Sequence, residues 1–186
     1  MMRIITGSAR GVRLKTLEGE NTRPTAERVK EAVFSMIQFD IEGRTVLDLF
    51  SGSGQMGLEA LSRGAREAFL VDQSKDAVRI IEENAKKTGF SSLCRIFQTD
   101  FRDFLRRNYG QKFDLIFLDP PYASGFYTPA LEGLLASDML KPTSLLICES
   151  DTEEIFENKD ALQKKFAVKK ISKYSKTVIT VLTPIM

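Results

Sequence analysis

No histidine and no tryptophan occur among the 186 residues, and cysteine occurs twice. Without histidine the chain cannot build a Ser-His-Asp or Cys-His nucleophile, a histidine general base or a histidine-ligated metal. Cys94 and Cys148 lie far apart within apolar, strand-like segments, the setting of buried structural thiols rather than of a disulfide framework or a zinc knuckle. Long apolar runs are also missing. The longest are short pieces such as residues 115–118 and 145–148, and residues 1–11 lack the apolar stretch of a signal peptide. The expectation is a cytoplasmic protein with neither membrane nor metal partner, whose chemistry has to run on carboxylates, backbone groups and a cofactor.

What is present suits one domain. A chain of this length with 42% apolar residues can bury a sizeable single core but not two comfortable ones. Residues 1–186 are therefore read as a single domain, with a basic extension over 1–24 and a catalytic core over 25–186. The net charge of +2 conceals a segregation. Residues 1–30 carry seven Lys/Arg against three Glu, residues 161–186 carry six Lys and no acid, and the middle is acidic. Basic ends can neutralise phosphates, although lysine runs also serve simply as solvated surface.

After Thr25, apolar residues at Val29, Ala32, Val33, Met36 and Ile37 recur at helical spacing, which predicts a helix over 26–38. From there strands are expected at 45–50, 67–71, 93–97, 113–118 and 143–148, with helices at 55–63, 75–88, 100–107, 128–136 and 153–164 between them. Such repeated strand–helix alternation implies a mostly parallel sheet covered on both faces. Residues 166–171 and 177–182 read as two more strands, and the short connection over 172–176 makes them antiparallel neighbours. In front of the first helix, residues 3–6 and 12–16 flank Gly7 and Gly11 as a small basic hairpin.

Val46-Leu47-Asp48-Leu49-Phe50-Ser51-Gly52-Ser53-Gly54-Gln55-Met56-Gly57 carries a strand into a glycine-rich turn and then a helix. Glycines there let backbone approach a ligand closely. The spacing of Gly52, Gly54 and Gly57 also satisfies a dinucleotide fingerprint, so a nicotinamide oxidoreductase is a competing reading. Asp48 favours a different ligand: a carboxylate at that point suits the cationic amino acid end of S-adenosylmethionine and would repel a pyrophosphate. A plainer role for Asp48 is to hold the turn.

Three more strands end in acids. Asp72 closes the second, where a carboxylate accepts the ribose hydroxyls of an adenosine. Asp100 closes the third and precedes Phe101, a pair fit to bond an adenine amino group and pack on its ring, or alternatively to cap the next helix. The fourth runs into Asp119-Pro120-Pro121-Tyr122. Two prolines stiffen that loop and remove two backbone donors, so the site accepts hydrogen bonds. An amino group donates two of them: Asp119 and the Pro120 carbonyl can hold a target nitrogen with its lone pair aimed at a methyl donor, while Tyr122 stacks on the base. Such a nitrogen loses its proton only as the methyl arrives, so positioning and electrostatics suffice without a histidine base.

These residues together resemble the RsmD family, bacterial 16S rRNA guanine-N2 methyltransferases. The likeness rests on Arg3-Ile4-Ile5-Thr6-Gly7 and Gly11, on Thr22-Arg23-Pro24-Thr25 with Arg28, Glu31, Ala32 and Phe34, on the glycine turn with Gly57-Leu58-Glu59-Ala60-Leu61-Ser62-Arg63-Gly64-Ala65, and on Asp119-Pro120-Pro121-Tyr122. Gln55-Met56 departs from the small residues the family places after its glycines. The resemblance implies a Rossmann-like class I methyltransferase fold: a mostly parallel seven-stranded sheet, an antiparallel final strand and an N-terminal β-hairpin extension. It implies S-adenosylmethionine as cofactor, held by Asp48, Phe50, Gly52, Gly54, Asp72, Asp100, Phe101 and Asp119, with Arg23 and Thr25 near the cofactor carboxylate or the target base. Asp119, Pro120 and Tyr122 would carry the transfer, and Arg10, Arg13, Lys15 and Arg23 would contact RNA. The implied partner is 16S rRNA within the 30S subunit or its precursor, and the protein is expected to be a monomer. DNA adenine-N6 methylation is the alternative activity, and a non-catalytic RNA-binding module the alternative of another kind.

Overall fold

The computed structural model describes residues 2–17, 24–121, 125–156 and 159–185, with only the backbone of residues 24–26. Thirteen elements alternate along it. They are α1 (Pro24–Met36), β1 (Thr45–Asp48), α2 (Gln55–Ser62), β2 (Glu67–Asp72), α3 (Lys75–Thr88), β3 (Cys94–Gln98), α4 (Phe101–Arg107), β4 (Phe113–Leu118), α5 (Tyr127–Ala136), β5 (Leu140–Ser150), α6 (Asp160–Gln163), β6 (Phe166–Tyr174) and β7 (Thr177–Pro184). α1 starts two residues earlier than expected, because Pro24 occupies a first-turn position where a missing N–H costs nothing. α3 keeps its expected bounds. Ser74 caps its start by accepting from the Ala77 N–H, and Gly89, at φ 80°, ends it in the left-handed conformation.

The sheet order is β3-β2-β1-β4-β5-β7-β6, parallel through β5, with β7 antiparallel to both neighbours. This is the expected Rossmann-like arrangement with an antiparallel final strand. Because β1 pairs with β2 on one side and β4 on the other, the strand order reverses there, and a crevice opens at the carboxyl ends of β1 and β4. One apolar cluster packs α1, α2 and α3 on one face, through Val33, Phe34, Leu58 and Ile81 among others. A second packs α4, α5 and α6 on the other, through Phe104, Leu131 and Leu162. Cys148 is buried and Cys94 half-buried, and burial pushes both thiols up to about 12. Among the described residues no helix is long and apolar enough to cross a membrane.

Two expectations need correction. Of the helix expected over 153–164, the described residues form only the single turn Asp160–Gln163. Ile155 and Phe156 have no apolar residue three or four positions away on either side, so no helical stripe continues from them, yet both are buried, Phe156 packing on Phe166 at 6.2 Å. The N-terminal hairpin has one bridging pair, Arg3 with Arg13. It is not an appendage either, since Met2, Ile4 and Leu14 belong to the core beneath α1 and α2. Side chains of the core take the hydrogen bonds that a longer ladder would use. Glu59 accepts from the N–H groups of Ile5 and Thr6 at 2.8 and 3.0 Å, the Ser62 hydroxyl accepts from Ala9 and donates to the Thr6 carbonyl, and Asn84 bonds both backbone groups of Lys15.

Candidate active site

β1 ends in Asp48, and the chain then turns through residues whose backbone conformations demand glycine: Gly52 at φ 53° and Gly54 at φ 78°. Gly57 serves packing instead. A Cβ there would lie 2.2 Å from Leu70 Cδ2, so its absence is what lets α2 lie close on the sheet. Ser51 stitches the turn to the neighbouring strand, its hydroxyl accepting from the Val71 N–H and donating to the Asp48 carbonyl.

The Asp48 carboxylate lies beneath this turn, 3% exposed, and accepts from the Gly57 N–H at 3.3 Å. Burial pushes its pKa up to about 7; the Gly57 bond opposes that shift and the nearby Asp72 charge adds to it. Asp72, at the end of β2, accepts from the Gly52 N–H at 2.9 Å and the Ser74 N–H at 2.8 Å, tying the first turn to the second. Asp100 accepts from the Arg102 N–H at 2.8 Å and caps α4.

A cleft of about 570 Å³ runs along these strand ends, lined by Phe50, Gly52, Asp72, Asp100, Phe101, Asp119, Pro120, Pro121 and Phe126 among others. The expected residues Phe50, Gly52, Asp72, Asp100, Phe101, Asp119 and Pro120 thus come together around one space, while Asp48 and Gly54 sit behind the lining. Arg23 and Tyr122 lie outside the described residues, as does the side chain of Thr25. Arg10, Arg13 and Lys15 are exposed on the N-terminal segment, where Lys15 pairs with Glu83.

Sequence reasoning missed four features. Phe126 joins Phe50 and Phe101 in a cluster with centroids 5.1 to 6.3 Å apart, and the Arg102 guanidinium covers Phe101 and Phe126 at 4.5 and 5.0 Å. Glu59, fully buried, also faces Lys30 at 3.4 Å and Arg63 at 2.9 Å. Asn84 donates to the Ser53 carbonyl at 3.0 Å while it holds Lys15, joining the N-terminal segment to the glycine turn. Glu149 ends the apolar part of β5, the fifth acid at this edge of the sheet; an acid after an apolar run was the same signal that singled out the other four. Among the described residues, two buried polar atoms of the turn, Ser53 Oγ and Gln55 Oε1, have no hydrogen-bond partner.

A family described as Conserved hypothetical protein 95 matches residues 2–182. A Haemophilus influenzae protein named Ribosomal RNA small subunit methyltransferase D is 34% identical, over 82% of this chain and 80% of its own length. The Escherichia coli protein of the same name is 32% identical, over 82% and 76%. The structure of a hypothetical protein from Thermus thermophilus superposes over 100% of both chains, with a TM-score of 0.79 and 28% identity.

Proposed function

Because this chain belongs to the ribosomal RNA small subunit methyltransferase D family, described as conserved hypothetical protein 95, we propose that it methylates the exocyclic N2 of a guanine in 16S rRNA, using S-adenosylmethionine. The coarser activity, methylation of ribosomal RNA, is the family's. The observation that supports methyl transfer to an amino nitrogen most is the cleft that joins Asp72, Asp100 and Phe101 to Asp119 and Pro120, and the choice of guanine rests on the family likeness of the N-terminal Arg-Pro-Thr segment and the run from Gly57 to Ala65.

The residues present fit the cofactor. The cleft volume of about 570 Å³ falls in the range of sites that bury a small ligand. The unpartnered Ser53 Oγ and Gln55 Oε1 await polar groups of the kind an amino acid end carries. When bound, S-adenosylmethionine supplies an electrophilic methyl group on a sulfonium centre. Asp72 accepts the ribose hydroxyls, Asp100 the adenine amino group, and the Phe101 cluster packs against the ring. Asp48 supplies negative charge behind the turn that faces the amino acid end.

Asp119 and the Pro120 carbonyl accept the two N–H groups of the target nitrogen, which points its lone pair at the methyl. Tyr122 stacks on the base, and Arg23 and Thr25 border the cofactor carboxylate or the base. A conjugated amino group gains acidity only as the new bond forms, so a carboxylate acceptor at that point stabilises the transition state more than the ground state. Arg10, Arg13, Lys15 and the lysines of residues 164–176 hold phosphates of an RNA presented by the 30S subunit or its precursor, with the protein acting as a monomer.

The test offers methyl-labelled S-adenosylmethionine with naked 16S rRNA, 30S particles and duplex DNA in parallel. Label is expected in RNA and not in DNA. Label confined to DNA would replace this reading with the adenine-N6 alternative.

A further inference from the structure

The loop Asp-Pro-Pro-Tyr holds an amino group, but an amino group alone does not tell guanine from adenine or cytosine. Something beside it has to read the adjoining ring position. β4 and β5 run parallel with Leu118 opposite Cys148 in the last registered pair. The residues that follow, Asp119 and Glu149, therefore leave the edge side by side on adjacent strands, about 5 Å apart at their backbones. Alternation within β5 sets Glu149 on the face of Ile147, opposite to that of Cys148, and Asp119, which lines the cleft, stands directly after β4 at the same edge.

Glu149 is held firmly in place. Its backbone pairs with Ile179 of β7, and its carbonyl accepts from the hydroxyl of Tyr127, the residue next to the cleft-lining Phe126. Its side chain is half-buried, and burial pushes the carboxyl up to about 7. Among the described residues no cation pairs with it, unlike Asp114 at the opposite end of β4, which Lys141 and Arg44 neutralise. A desolvated carboxylate without a cation gains most from a ligand that donates hydrogen bonds.

Resting on the guanine reading above, we propose that Glu149 is the specificity-determining residue, whose carboxylate accepts the ring N1–H beside the target amino group. The chemistry of the bases makes this selective. In guanine the ring nitrogen between N2 and O6 carries a hydrogen. In adenine N1, next to the N6 amino group, and in cytosine N3, next to the N4 amino group, are both bare acceptors. In its ionised form, which prevails above about pH 7, a carboxylate beside the amino-holding loop attracts the first and repels the other two. Asp119 holds the nitrogen that reacts, and Glu149 reads its neighbour.

The test uses the full-length protein and RNA carrying either guanosine or 2-aminopurine riboside at the nucleotide the wild type labels. 2-Aminopurine keeps the amino group and leaves N1 bare. Wild type should favour guanosine by about tenfold to a hundredfold in kcat/KM, the scale of a hydrogen bond to a charged group. In Glu149→Gln the amide can donate to a bare N1, so the preference should fall at least tenfold or invert, with cofactor affinity unchanged. Because each preference is a ratio within one preparation, a partly folded variant does not disturb it, and Glu149→Ala gives a second reading. Equal loss on both substrates, or an unchanged ratio, would overturn the assignment. Failure of wild type to label any guanosine would instead defeat the guanine reading on which it rests.

Discussion

Asp48 shows how two roles coexist in one side chain. The plain reading of a strand-end aspartate as a turn holder is realised in the bond it accepts from Gly57, yet its burial leaves a carboxyl with a pKa of about 7 directly behind the glycine turn. A folded pKa above the unfolded value near 3.8 means that the folded chain binds more protons between those limits. The resulting stabilisation is full below about pH 4 and is lost as pH rises through about 7. A cation bound near Asp48 reverses the preference, favouring the ionised form. Cofactor affinity measured by calorimetry should therefore rise with pH, by up to about tenfold per unit below about pH 7, and level off above it. Asp48→Asn should flatten that profile; a profile that keeps its slope in the variant would show that Asp48 does not face the cofactor's charge. Asp100 combines roles in the same way, capping α4 while it lines the cleft.

At the scale of elements, the core strands and α3 were legible because their apolar residues follow clean periods and their ends carry acids, glycines or caps. Where that signal was absent the reading drifted. Residues 153–154 are acidic and 155–156 are an apolar pair, a pattern that satisfies burial without a helix. β6 and β7 extend to a turn at Ser175, whose φ of 58° no propensity would have suggested. The N-terminal segment alternates well enough for a hairpin, but its partners, Glu59, Ser62 and Asn84, lie more than 50 residues away along the chain. This also explains why the run from Gly57 to Ala65 is so narrow a family mark. Gly57 clears Leu70, Glu59 takes two N–H groups and two cations, and Ser62 holds Thr6 and Ala9. Lys30, 2% exposed, faces Glu59 and donates to the Arg3 carbonyl at 2.6 Å, and burial holds its ammonium below the usual lysine range. Glu59→Ala would strand that charge and the two amides. Urea unfolding should show a loss of about 3 to 5 kcal/mol, whereas a loss below about 1 kcal/mol would mean that the cluster contributes little.

Across the whole molecule, the charge segregation of the sequence becomes exposed basic residues on two elements. Arg10 and Arg13 stand exposed on the N-terminal segment, and Lys169, Lys170 and Lys173 on β6, the outer strand of the sheet. Lysines on an edge strand also block pairing with a second sheet, so that surface has a sufficient reason of its own. The N-terminal arginines have no such duty, and among the described residues neither forms an ion pair. RNA binding titrated from low to high salt should lose about one unit of log–log slope for each of Arg10→Ala and Arg13→Ala. An unchanged slope in the double variant would move the RNA contact elsewhere.

The proposed transfer places a methyl group on N2 of guanine through Asp119 in this cleft. It is tested most directly by digesting the RNA labelled by wild type and by Asp119→Ala, and identifying the modified nucleoside. Wild type should yield N2-methylguanosine, and Asp119→Ala, still folded and assayed at saturating cofactor, should lose at least about a hundredfold in turnover. N6-methyladenosine from wild type, or undiminished N2-methylguanosine from Asp119→Ala, would contradict the account.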